Sequence, residues 1–105
     1  MDFASPRIRF ALQAARKAAH AVQAVQHGMV TPALTKDDRS PVTVADFAAQ
    51  AVVGGLLESA YPSLPLVAEE DAAALRENHA TRDQVVRFVK HILPDATPES
   101  VCQWI

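Results

Sequence analysis

Thr35-Lys36-Asp37-Asp38-Arg39-Ser40-Pro41-Val42-Thr43-Val44-Ala45-Asp46-Phe47-Ala48-Ala49-Gln50 is the stretch on which the fold assignment turns. Lys36 to Pro41 is turn-forming sequence between two short β-prone pieces, Ala33 to Lys36 and Val42 to Val44, and this arrangement predicts a hairpin. Behind it, Ala49, Val52, Val53, Leu56, Leu57 and Ala60 recur at helical spacing as one apolar stripe. Gly54 and Gly55 interrupt that helix at a cost of about 1 kcal/mol each relative to alanine, which predicts close packing at that point. Tyr61-Pro62 closes the helix, and Leu64 to Ala68 reads as a short buried strand running into Glu69-Glu70-Asp71. Strands alternating with helices make the expected fold class α/β.

Upstream, Ser5-Pro6 is a helix start, because a serine hydroxyl caps free amides and proline tolerates the first helical position. Ile8, Leu12, Ala15, Ala19 and Val22 follow at spacings of three and four and predict the buried face, with Gly28 as the stop. An alanine-rich helix of this kind also suits a protein partner, but its narrow stripe is read as facing the chain's own core. Downstream, Asp71 to Arg76 forms a short helix and a polar connection crosses Asn78 and His79. Thr81 and Gln84 then make a capping-box pattern for a helix buried through Val85, Phe88, Val89 and Ile92 and ending before Pro94. Thr97-Pro98-Glu99-Ser100 begins one more helix, and the chain ends on Trp104 and Ile105, an interruption rather than a finish.

The 105 residues, 50% hydrophobic, suffice for one domain or part of one. Ten basic and 12 acidic side chains leave a formal charge of -2, which excludes a broad field for nucleic acid or an anionic membrane surface. Cys102 is the single cysteine, so no internal disulfide forms and the thiol reads as structural or incidental. No stretch approaches ~20 apolar residues. The expected location is cytoplasmic; an Arg-rich, acid-poor start also suits an organelle transit peptide, but the regular helical spacing that follows favours the former. No internal repeat or low-complexity tract is present.

Among residues that carry chemistry, Glu69-Glu70-Asp71 offers the carboxylate oxygens that Mg2+ prefers, although a solvated acidic helix start is the plainer local reading. Asp46 is open to two readings: a cap or dipole partner of the second helix, or a catalytic acid. Lys36 alone reads as a surface charge. His20, His27, His79 and His91 lack the spacing of a zinc site, and three glycines form no phosphate loop. Serine, histidine and aspartate form no nucleophile arrangement.

Taken in order, Ser40-Pro41-Val42-Thr43-Val44-Ala45-Asp46, a helix, Tyr61-Pro62 and Leu66-Val67-Ala68-Glu69-Glu70-Asp71 resemble the opening of the 3'(2'),5'-bisphosphate nucleotidases, most closely the plant and fungal type, within the inositol monophosphatase superfamily. The resemblance continues through Leu75-Arg76 and the later helix. It implies a layered αβαβα sugar-phosphatase fold, of which residues 1-105 are the N-terminal portion of a single domain. It also implies a lithium-sensitive, Mg2+-dependent hydrolase of sulfur assimilation that removes the 3'-phosphate of 3'-phosphoadenosine 5'-phosphate, giving AMP and phosphate. By position, Glu69 matches the metal-binding glutamate and Glu70 its neighbour in the metal-bound water network. Asp46 matches the aspartate that activates the attacking water, and Lys36 a lysine near that site.

The family's Asp-Pro-x-Asp-Gly-Thr segment does not occur in this chain, nor does its later metal-binding aspartate, so the chain alone is expected to be inactive. Two further readings stay open. One is a truncated, non-catalytic product that pairs with a full-length relative; the other is an inositol (poly)phosphate 1-phosphatase. Neither nucleic acid nor a membrane is an expected partner, and oligomeric state is left undetermined.

Overall fold

In the computed structural model, residues 5–29, 41–64 and 72–105 are described, and within them the regular elements are five helices: α1 (Pro6–Met29), α2 (Pro41–Ala60), α3 (Ala72–Glu77), α4 (His79–Val89) and α5 (Pro98–Trp104). The α/β expectation is therefore met only in part. Val42 to Val44, expected as a hairpin strand, is the first turn of α2. The reason is burial: Val44, Ala45, Phe47 and Ala48 are all buried, and their packing as consecutive helical residues overrides the weak β preference of Val-Thr-Val. The partner piece Ala33 to Lys36 and most of the strand Leu64 to Ala68 lie outside the described residues; Leu64 itself sits in a bend.

α2 is the central element, meeting α1 along its length and packing also on α4 and α5, while α3 packs on α4 and α5. A helix that is apolar around most of its circumference belongs in the interior. Val42–Ala60 is long and apolar enough to cross a membrane by composition, a property the sequence reading missed, but 44% of it is buried against its neighbours. α1 and α2 run antiparallel: Phe10 near the start of α1 meets Tyr61 just past the end of α2 edge to face, with ring centroids 5.2 Å apart.

The face that α1 buries differs from the expected one. Ala14, Ala21 and Val25 are buried and Phe10, Lys17 and Ala18 half-buried, whereas Leu12 is 52% exposed and Ala15 and Ala19 are exposed. At about 100° per residue the centres of the two stripes lie roughly 120° apart around the helix, and Val22 at the nearer edge of the expected one still packs against the core. Alanines on both sides gave two apolar stripes, and the one that is buried puts Ala21 and Val25 into one cluster with Ala48 and Ala51 of α2. α1 ends at Met29, one residue past the expected stop, because Gly28 serves packing: a Cβ there would lie 2.7 Å from the Phe88 ring.

Phe88 and Leu75 are the largest fully buried side chains, surrounded by Val25, Val44, Val52, Val85, Val89 and Val101. Full burial of each contributes roughly 1.5–3 kcal/mol. Gly54 and Gly55 are the close approach that their cost predicted. A Cβ on Gly54 would collide with the Trp104 carbonyl oxygen and lie 2.9 Å from its carbonyl carbon, and one on Gly55 would lie 2.8 Å from Leu93 Cδ1. α5 is thus seated directly on the backbone of α2.

Two caps fix the last helices. Thr97 and Ser100 exchange side-chain to backbone bonds of 3.1 Å and 2.8 Å, the expected start of α5. For α4 the expected Thr81–Gln84 box is replaced by Asn78, whose Oδ1 accepts from the Thr81 amide at 3.0 Å. Starting the helix three residues earlier lets Thr81 be buried, at 5% exposure, and brings Val85, Val86, Phe88 and Val89 onto the core side.

Candidate functional site

Asp46 is the one expected site residue that the structure describes; Lys36, Glu69 and Glu70 lie outside the described residues. Because α2 begins at Pro41, Asp46 falls in its second turn, and the first turn carries no acidic residue. A cap must reach the free amides of the first turn, so the capping reading of Asp46 is removed. Its side chain is exposed, while Val44, Ala45, Phe47 and Ala48 around it are buried and hold its backbone.

The helical wheel locates Asp46 more closely. Val42, Thr43, Asp46, Ala49, Gln50, Val53 and Leu57 are exposed or half-buried, and at 3.6 residues per turn they share one arc of about 120°. Asp46 is the only charged residue on that stripe. Its carboxylate is thus presented from the surface of α2, with Val42, Thr43, Ala49 and Gln50 one turn away along the same stripe. Farther along, Val53 and Leu57 form one wall of an apolar groove of about 410 Å³ whose other wall is Phe10, Ala11 and Ala14 of α1. Sequence reading missed this stripe; its signal was a single acid in the N-terminal half of a mostly apolar helix, with Glu58 the next acid twelve residues on.

The remaining candidates keep their ordinary readings. His20, His27, His79 and His91 are exposed, with His91 stacked on Phe88 at 6.2 Å. Cys102 is a buried, free thiol. Among the described residues no three His, Cys, Asp or Glu side chains converge as a metal site.

No family model matches the chain. The 3'(2'),5'-bisphosphate nucleotidase of Schizosaccharomyces pombe is 40% identical over 94 residues, covering 85% of this chain and 27% of the relative. 3'(2'),5'-Bisphosphate nucleotidase 1 of Arabidopsis thaliana is 42% identical over 95 residues, covering 86% of this chain and 26% of the relative. The Emericella nidulans 3'(2'),5'-bisphosphate nucleotidase is 45% identical over 64 residues, covering 60% and 18% respectively. This chain is similar to the N-terminal portion of 3'(2'),5'-bisphosphate nucleotidases. It spans about a quarter of the length of the first two of these relatives.

Proposed function

We propose that the protein carrying this chain is a Mg2+-dependent phosphomonoesterase that removes the 3'-phosphate of 3'-phosphoadenosine 5'-phosphate, releasing AMP and phosphate. The observation that carries this reading is 40% and 42% identity, across 85% and 86% of the chain, to proteins named for nucleotidase activity on 3'(2'),5'-bisphosphates. The placement of Asp46 supports it: an exposed carboxylate on the central helix, free of a capping role, suits a group that must meet water and substrate.

Glu69 and Glu70 would offer hard carboxylate oxygens, which suit Mg2+ over softer metals. Glu69 would hold the ion and Glu70 would support its water shell. When bound, Mg2+ supplies charge neutralisation at the phosphoryl oxygens and a lowered water pKa. The role of Asp46 is to orient a water molecule and accept its proton as the oxygen attacks phosphorus; the bond from phosphorus to the ribose 3'-oxygen breaks, and that oxygen leaves and is protonated. Lys36, which by resemblance matches a lysine near that site, would contribute a positive charge. By itself the 105-residue chain is inactive, because it carries no Asp-Pro-x-Asp-Gly-Thr segment to complete the site.

The test is phosphate release by the complete protein from 3'-phosphoadenosine 5'-phosphate, with a Mg2+ titration of Asp46→Asn and Glu69→Gln. Asp46→Asn keeps the shape and removes the proton acceptor, so kcat should fall by at least ~100-fold with little change in KM. Glu69→Gln should raise the Mg2+ needed for half-maximal rate, and excess Mg2+ should restore part of its loss but little of the Asp46→Asn loss. Near-normal rates in both variants would remove the residue assignments. Faster turnover of inositol 1,4-bisphosphate than of the nucleotide would move the protein to the inositol phosphate reading.

A further inference from the structure

A second cleft shares no residue with the expected metal site. Arg76 at the end of α3 and Arg82 in α4 converge on it, opposite Pro98, Glu99, Cys102 and Gln103 of α5, around a volume of about 260 Å³. Arg76 is exposed, and the Arg82 side chain is 26% exposed. Arg82 Nε is buried and has no hydrogen-bond acceptor, so the exposed part of that side chain belongs to its other atoms. The only ion pair of Arg82 among the described residues is to Asp83, its own neighbour, at 3.5 Å, with the Asp83 side chain 68% exposed. A pair that open contributes little, roughly 0–1 kcal/mol. Glu99 at the rim offsets one of the two positive charges, and Gln103 adds an amide that can donate.

A partly buried guanidinium whose donors are poorly used is an anion site in waiting. The geometry narrows the anion. A planar carboxylate is satisfied by one arginine fork, whereas a tetrahedral oxyanion has oxygens for two forks arriving from different helices. We propose that the Arg76–Arg82 cleft binds a phosphate-type oxyanion, either free or as a monoester.

The experiment is an NMR titration of the 15N-labelled 105-residue chain with sodium phosphate, at constant ionic strength held with chloride, following the arginine Nε–H signals. The Arg76 and Arg82 signals should shift together and saturate, while those of Arg7, Arg9, Arg16 and Arg87 stay in place. Arg76→Gln alters an exposed side chain, leaves the fold intact, and should weaken phosphate binding about tenfold or more. Arg82→Lys keeps the charge without the fork and should also weaken it. AMP serves as the monoester arm: tighter binding of AMP than of phosphate assigns the site to an ester, and the reverse assigns it to the free ion. Equal drift of all arginine signals, absence of saturation, unchanged affinity in Arg76→Gln, or tighter saturation by acetate than by phosphate would each overturn the proposal.

Discussion

The two sides of the helical assembly are finished to different degrees. Where α5 meets α2, the fit is set at the backbone: Gly54 and Gly55 leave no room for a side chain, Trp104 and Leu93 occupy that space, and Phe88 fills the centre behind them. On α1, the expected stripe Ile8, Leu12, Ala15, Ala19 and Val22 is only partly covered: Val22 packs against the core and Ile8 is half-buried, whereas Leu12 is 52% exposed and Ala15 and Ala19 are exposed. The contrast shows that periodicity alone does not choose the packed face. The buried face of α1 is the one lined by small side chains, Ala14 and Ala21 with Val25, and Leu12 is left outside.

Breaking the packed side should have the largest effect. Phe88→Ala empties the site of the largest fully buried side chain and removes the ring that rests on Gly28, so it should cost about 3–5 kcal/mol, read as a lower urea midpoint or melting temperature. A loss under ~1 kcal/mol would mean that α4 does not anchor the core. Gly54→Ala comes next. Its methyl group meets the Trp104 carbonyl, a backbone atom that cannot swing away as a side-chain tip can, and the strain should exceed alanine's gain in helix propensity by about 1–3 kcal/mol. The Trp104 fluorescence should shift to the red as α5 lifts. A stabilised Gly54→Ala chain with unchanged fluorescence would show that α5 is not seated there. A smaller effect belongs to the cap of α5: Thr97→Ala removes the acceptor for the Ser100 amide and should cost about 1 kcal/mol.

What could be read in advance divides along the same line. Local chemistry was legible: Thr97-Pro98 with Ser100 specified the start of α5 through bonds made within one turn. Gly54-Gly55 announced a close approach because nothing else justifies two glycines inside a helix. Choices between equivalents were not legible. Asn78 and Thr81 are both good caps, and the register was decided by which one left Thr81, Val85 and Phe88 inside. Val42-Thr43-Val44 carries a β preference that burial of Val44 outweighs. For the candidate site, Asp46 was found by resemblance, and the structure contributed what periodicity did not: a second-turn position, exposure, and a stripe that holds no other charge. The expected role of Lys36 rests on resemblance alone, and those of Glu69 and Glu70 on resemblance together with the preference of Mg2+ for carboxylate oxygens.

The smallest expected effect is the sharpest check on the uncovered face of α1. Leucine and glutamine have similar helix propensity, so Leu12→Gln changes the surface of α1 while leaving its backbone preference nearly untouched. With Leu12 already 52% exposed, the substitution should change the stability of the 105-residue chain by no more than ~0.5 kcal/mol. Its association should change more. An apolar stripe in water favours contact between copies, so sedimentation should show self-association of the parent chain that weakens in Leu12→Gln at equal concentration. In the complete protein the same substitution separates two situations. If added polypeptide covers the stripe, Leu12→Gln buries a polar amide and costs about 1–3 kcal/mol; if the stripe stays open, the cost remains near zero. A loss above ~1 kcal/mol already in the 105-residue chain would mean that Leu12 is packed in solution, and the distinction between the two faces of α1 would fall.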